Sequence, residues 1–368
     1  MGAAVFLERI RVVELAQYIP GPLAGQILAD LGADVVKTEP PGGEPMRRLG
    51  PPGPDGASAL YALVNRGKRV LELDLKADEG IAAFAALLEN ADVLLESYRP
   101  GVLARLGFDD ARLDALNPRL VHCALTGWGR TGPYAGRAGH DLNYMALGGG
   151  LAASGPAAAP AISHPPVADH AGASAAAVAI LAALVRRGRT GTGAHLDVSL
   201  MESVLAWQAS SFTLAARGAP PERGQALLNG GAAFYNVYAT ADGGFVTLGA
   251  IETKFWAAFC DAVGRPGWIA RQAEPLPQTE LKRDVATLFA ARPLADWRTL
   301  LDRVDCCFEA VARLDSVARH PHVTARGLVR EQQSLVETLF PLLVDGAPVA
   351  ERAPVRMATA ADVLADWV

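Results

Sequence analysis

Short β-branched and aliphatic runs alternate with helical stretches through the first third of the chain, and this alternation constrains the fold more than any other feature. The runs are Ile10–Leu15, Asp34–Thr38, Arg69–Asp74, Ala91–Glu96 and Leu120–Leu125. Between them lie a helical pattern from Leu23 to Leu31 closed by Gly32, a helix from Asp78 to Glu89 that Asp78 can cap, and a helical segment beginning near Asp109. Strands alternating with helices of roughly 10–15 residues mean βαβ units and a mostly parallel sheet. Ligands on such sheets sit beyond the carboxyl ends of the strands.

The Pro- and Gly-rich segment Pro40–Gly56 reads as a long loop, and long loops in compact domains are often functional. A second loop, Ser154–Pro166, leads to the alanine-rich helix Ala171–Leu184. This apolar run is shorter than the ~20 residues a bilayer needs, so it reads as a buried helix. A polar turn at Arg186–Gly193, a strand at His195–Val198 and a helix at Leu200–Ala216 follow. Ala219–Gly231 reads as a linker. Beyond it, Asn236–Thr240 and Phe245–Leu248 flank Asp242-Gly243, a hairpin signal. Helices are expected at about Glu252–Val263, Thr279–Ala290 and Leu294–Val304, then short strands from Arg326 and a last helix capped near Thr359.

At 368 residues and 51% hydrophobic composition, the chain has material for two or three domains. A net charge of −5 argues against a general nucleic-acid surface but leaves room for a local basic pocket. Cys123, Cys260, Cys306 and Cys307 show no zinc-type CxxC spacing, and an adjacent pair makes a poor disulfide, so a reduced cytoplasmic setting is expected. No basic region followed by an apolar run and a cleavage site stands at the N-terminus, so no signal peptide is expected.

The chemistry is concentrated in Arg137-Ala-Gly-His-Asp-Leu-Asn-Tyr144 and in Asp169 at the head of the apolar helix. A histidine and a carboxylate outside glycine-rich segments are what an enzyme needs to move a proton on and off carbon. His140 reads either as a general acid/base or as a histidine satisfied by hydrogen bonds. Asp141 reads as an orienting group, a ligand contact or a cap of the helix that starts at Leu142. Asp169 reads as a helix cap, or as a nucleophile or proton donor, with the helix dipole lowering its pKa. Glu252 lies between a strand and a helix and could hold a histidine in one tautomer. Lys68, Arg69, Arg99, Arg105, Arg130 and Arg137 lie near strand ends and would bind a phosphorylated ligand where several converge. GxGxxG and GxxxxGK[ST] signatures are both missing, so nicotinamide and P-loop chemistry lack their fingerprints.

Several stretches taken together resemble the family III CoA transferases, the CaiB/BaiF family. They are Arg11–Leu15, Pro20-Gly-Pro22, Leu28–Lys37, Asn65–Arg69, Tyr98-Arg-Pro-Gly101, Gly127–Tyr134 and Arg189–Gly193. In that family the position matching Asp169 carries the CoA-transfer nucleophile. The α-methylacyl-CoA racemase branch adds a histidine within Gly-His-Asp-(Ile/Leu)-Asn-Tyr, matched by Gly139–Tyr144, and formyl-CoA transferases lack it. Ala233–Tyr238, Gly249–Glu252, Asp305-Cys-Cys307 and His320-Pro-His322 also look racemase-like. Pro40 stands where several relatives have an arginine, and His170 where racemases often carry an aromatic or apolar residue.

The resemblance implies an α/β fold: a Rossmann-like large domain over residues 1–218 completed by 327–368, a small α+β domain over 219–326 with its linkers, and an interlocked homodimer. It implies catalytic roles for His140, Asp169 and Glu252, and CoA contacts from Lys68, Arg99, Arg105, Arg137, Asp141 and Tyr144. The expected reaction is inversion of the α-carbon of a 2-methylacyl-CoA through an enolate; the alternative is CoA transfer between an acyl-CoA and a carboxylic acid. Neither requires a metal or a cofactor beyond the CoA of the substrate, nor a nucleic acid or membrane partner.

Overall fold

A computed structural model contains the sheet that the alternation predicts, with six strands from the first two hundred residues. They are β1 (Arg11–Leu15), β2 (Asp34–Glu39), β3 (Arg69–Glu72), β4 (Val93–Glu96), β5 (Val121–Thr126) and β6 (Ala194–Ser199). The spatial order is β3-β2-β1-β4-β5-β6, every pair is parallel, and the Arg356–Met357 strand adds a seventh position beside β3. This is the Rossmann order, with its direction reversing between β1 and β4. The structure describes residues 6–53, 56, 58–332, 335–349 and 352–367.

The chain divides into two units, one of Met1–Gly148, His164–Ala206 and Ala318–Val368, the other of Gly149–Ser163 and Trp207–Val317. In the first, the helices are α1 (Pro20–Asp30), α2 (Ala59–Asn65), α3 (Asp78–Asn90), α4 (Val102–Arg105), α5 (Asp110–Leu116), α6 (Asp141–Leu147), α7 (Val167–Thr190) and α8 (Leu200–Trp207, ending at the boundary). Val13, Val36, Leu71 and Leu94 of the sheet form one core with Phe84, Leu87 and Leu88 of α3 and with Val363 and Trp367 of the C-terminal helix Ala360–Trp367. Trp367 is fixed there by its Nε1–H on Asp34 at 2.7 Å.

Several boundaries differ from the sequence reading. Helix α1 starts at Pro20 rather than Leu23, because a first-turn proline gives up an N–H with no intrahelical partner. Asp78 lies in the first turn of α3 and the capping position belongs to Ala77. Helix α2, which emerges from the long loop, was not expected; Ser58 caps it by accepting the Leu60 and Tyr61 N–H groups at 3.1 and 3.4 Å. The first five residues of the turn expected at Arg186–Gly193 are helical and complete the 24 residues of α7. Buried Arg187 pairs with Asp92 at 2.8 Å there, and Gly191, at φ 75°, ends the helix. By length and composition alone α7 is long and apolar enough to cross a membrane, longer than the run expected from the sequence, and, as expected of a buried helix, it packs a row of residues into the fold. Its buried residues are almost all small, including Ala168, Ala171, Gly172, Ala173, Ala176 and Ala177, which lets it lie close on α1 and β5.

The second unit holds a three-stranded antiparallel sheet, β7 (Tyr235–Ala239), β8 (Phe245–Gly249) and β9 (Phe308–Ala310). The Asp-Gly hairpin is present, and the third strand was not expected. Helix α9 (Ala209–Ala216) is the second half of the expected helix Leu200–Ala216, which breaks at Gln208. Helices α10 (Thr253–Ala262), α11 (Thr279–Phe289) and α12 (Leu294–Leu301) cover this sheet. Trp256, Phe259, Phe289 and Trp297 are fully buried at their centre.

Candidate active site

A cleft of about 250 Å³ opens where the sheet order reverses. Gln17 and Tyr18 reach it from the end of β1, Ser97–Pro100 from β4, and Thr126–Trp128 from β5. His140 and Asp169 both line it. This is where the topology of a doubly wound sheet leaves a crevice for a ligand.

His140 occupies the N-cap position of α6 in extended conformation, and its backbone N–H donates to Asn143 Oδ1 at 3.0 Å. The side chain is exposed, with the Tyr18 ring edge-on to the imidazole at 6.4 Å. Tyr18 has a φ of 63°, an uncommon conformation for a non-glycine residue and one that clusters at functional sites. Its N–H donates to Glu44 Oε2 at 2.9 Å, and buried Glu44 is in turn paired with Lys37 at 3.0 Å. Tyr18 is not marked in the sequence beyond its position between a strand end and a prolyl helix start.

Asp169 is the third residue of α7 and not its cap. The N-cap residue is Pro166, whose side chain cannot accept. Asp141 does the capping from outside the helix: its Oδ1 accepts the N–H of Ala168 at 2.6 Å and of Asp169 at 3.1 Å. Burial and the negative charge of Asp141 push the Asp169 pKa up to about 6, against the opposing effect of His170 and His140. The sequence reading expected the helix dipole to lower it; desolvation and a like charge outweigh the dipole. His170 is anchored by its Nδ1 on the Pro166 carbonyl at 2.7 Å.

Two glycines of this region make room for Tyr144. The Tyr144 ring is buried, and its hydroxyl donates to the Gly139 carbonyl at 2.6 Å. A Cβ on Gly127 would lie 2.2 Å from that hydroxyl, and one on Gly139 would lie 2.8 Å from the ring. Trp128 packs edge-on against Tyr144 with centroids 4.8 Å apart. Tyr144 lines the cleft, and Asp141 holds the head of α7.

The basic residues separate into two groups. Lys68 is fully buried and donates to Glu14 at 2.7 Å, the Pro22 carbonyl at 2.7 Å and Asn65 at 3.1 Å. All three ammonium protons are thus used, and burial lowers its pKa to about 8 despite Glu14. Its expected contact with CoA phosphate is corrected: it ties β3 to β1. Arg69 pairs with Asp34 and Asp366, and Arg130 with Asp110. Arg99 and Arg137 are exposed on the cleft, Arg137 stacked over Tyr134 at 4.0 Å. Arg105 is exposed at the end of α4. In the second unit, Glu252 stands exposed at the N-cap of α10, its carbonyl accepting the Phe255 N–H at 3.0 Å. All four cysteines are free, with only Cys307 exposed.

The fold is α/β, with an imidazole and a carboxyl at the switch point of a Rossmann-type sheet. The chain belongs to the CoA-transferase family III, whose family model matches residues 7–361. It is 36% identical over 350 residues to the human α-methylacyl-CoA racemase, covering 92% of this chain and 87% of that one. It is also 34% identical over 353 residues to a succinate–glutarate CoA-transferase of Agrobacterium fabrum, covering 91% and 87%. A CaiB/BaiF family protein from Brucella suis superposes with a TM-score of 0.84 at 28% identity, over 98% of this chain and 99% of that one.

Proposed function

We propose that the protein is a racemase or epimerase of 2-methylacyl-CoA thioesters. One observation carries this reading: His140 and Asp169 line the same cleft. Burial and the Asp141 charge raise the Asp169 carboxyl to about 6, so it can hold a proton for delivery near neutral pH. Reversible transfer needs two groups that can each serve as acid and as base. His140 takes the α-proton on one face while Asp169 delivers one on the other, with roles exchanged for the opposite enantiomer. The thioester carbonyl carries the charge of the enolate, whose oxygen needs N–H donors. Arg99 and Arg137 are placed to meet CoA phosphates, and the CoA of the substrate is the only cofactor this reading requires.

The similarity to a CoA-transferase supports a second reading, in which Asp169 attacks the acyl-CoA and passes CoA to an acid. Incubating a pure enantiomer of a 2-methylacyl-CoA with the protein, with and without a free carboxylic acid, separates the two. Inversion without the acid, followed by chiral chromatography, supports the racemase. CoA transfer that depends on the acid, with configuration retained, overturns it.

A further inference from the structure

One cluster of ligand-type side chains has no part in the proton transfer. His122 on β5 and His195 on β6 are register partners, so their side chains leave the sheet on one face. Their Nδ1 atoms lie 3.1 Å apart. Asp110, at the start of α5, brings Oδ1 to 3.7 Å from His122 Nδ1 and 3.6 Å from His195 Nδ1. The outer nitrogen of each ring faces a carboxylate, His195 Nε2 at 2.9 Å from Asp114 and His122 Nε2 at 3.7 Å from Glu96.

Neutral rings alone leave this arrangement in conflict. If His195 donates Nε2–H to Asp114, its Nδ1 is an acceptor and His122 must donate Nδ1–H to it. The buried His122 Nε2 is then a lone pair facing a carboxylate, and this atom has no hydrogen-bond partner. A cation between the three inner atoms removes the conflict. Both Nδ1 atoms then bind through lone pairs, and both Nε2–H groups point at carboxylates, the pairing that orients histidines on metals.

We propose that Asp110, His122 and His195 bind a divalent transition-metal ion of the zinc class in a structural site. Zinc bonds of ~2.0–2.2 Å in tetrahedral array set ligand atoms about 3.3–3.6 Å apart. The observed separations of 3.1, 3.6 and 3.7 Å bracket that value. A cavity of about 360 Å³, lined by Glu96, Asp110, His122 and Arg130, leaves room for a water as fourth ligand. Arg130 Nη2 lies 2.9 and 3.0 Å from the two Asp110 oxygens, and the second lone pair of Oδ1 remains for the ion. The ion would tie β5, β6 and α5 together. Tyr98, Arg99, Pro100 and Thr126 line both this cavity and the His140 cleft, so the tie supports the cleft wall.

The test uses the full-length protein stripped with a chelator and titrated with Co²⁺, then Zn²⁺. One equivalent of Co²⁺ should bind with the strong visible absorption of a four-coordinate ion. Zn²⁺ should displace it and raise the unfolding temperature. His195→Asn and Asp110→Asn, both at partly exposed positions, should each weaken binding at least ~10-fold, and Cys307→Ser should not change it. Absence of stoichiometric binding, or binding undiminished in both ligand variants, overturns the proposal. So does a pair that responds to pH while metal leaves its stability unchanged.

Discussion

Asp141 Oδ1 accepts the backbone N–H of Asp169 at 3.1 Å, joining the residue that follows His140 to the carboxyl proposed as its counterpart. One side chain thus fixes where both groups stand and also, by its charge, raises the proton affinity of Asp169. Position and acidity are set by the same contact.

Asp141→Asn keeps an acceptor oxygen at the head of α7 but removes the charge. The pKa of Asp169 should fall below about 6, and the acidic limb of kcat/KM should move to lower pH. Asp141→Ala also loses the cap and should cost about 0.5–2 kcal/mol of stability. Paired pH–rate profiles and thermal melts check both outcomes.

The proposed pair works with one proton shared between His140 and Asp169. Activity should therefore be bell-shaped in pH, lost when both groups are protonated and again when neither is. The two C2 epimers differ at a centre remote from the stereocentres of CoA, so their equilibrium constant is close to one and both should show nearly the same kcat/KM profile. Initial rates from each pure enantiomer across the pH range provide the check.

A carboxyl raised to about 6 in the fold, against ~3.9 unfolded, opposes folding at neutral pH. The fold binds this proton more tightly than the open chain, so the penalty is absent below about 4, grows through the interval and is full above about 6. Asp169→Asn should then raise stability by on the order of 1 kcal/mol at pH 7.5, after allowance for solvent screening, and have no such effect at pH 4. Activity should be lost at both. Urea titrations at the two pH values measure the difference.

Lys68 and Arg99 should respond in opposite ways. Lys68→Ala strips the buried Glu14 of one of its two cations and should cost about 3–5 kcal/mol. Arg99→Ala, at an exposed position, should leave stability within about 0.5 kcal/mol and raise KM for acyl-CoA. Denaturation curves and steady-state kinetics on the two variants decide between scaffold and ligand roles.

The parallel sheet was legible because hydrophobic runs buried on both faces leave little else for Val12, Val35, Val70, Leu94 and Cys123 to do. The length of α7 was not, because Arg187 reads as solvent-facing until the fold supplies Asp92. At the site, His140 and Asp169 are weak candidates on local sequence, and the family resemblance is what singles them out. The role of Asp141 could not be read, because its partners lie 27 and 28 residues away. Lys68 was misassigned for a related reason: a lysine between Gly67 and a strand looks exposed, and only the fold brings Glu14 to it from 54 positions away. Pattern reveals which face is apolar; it does not reveal which charges neutralise one another inside.

The central claim is that His140 and Asp169 exchange the α-proton with solvent. Its most direct test is deuterium incorporation from D₂O into a single enantiomer of a 2-methylacyl-CoA, with no acceptor acid, followed by mass spectrometry and chiral analysis. The expected result is one deuterium at the α-carbon accompanying inversion, lost in His140→Ala and in Asp169→Ala. Substrate recovered without deuterium while CoA passes to an added carboxylic acid, or full exchange in His140→Ala, would contradict it.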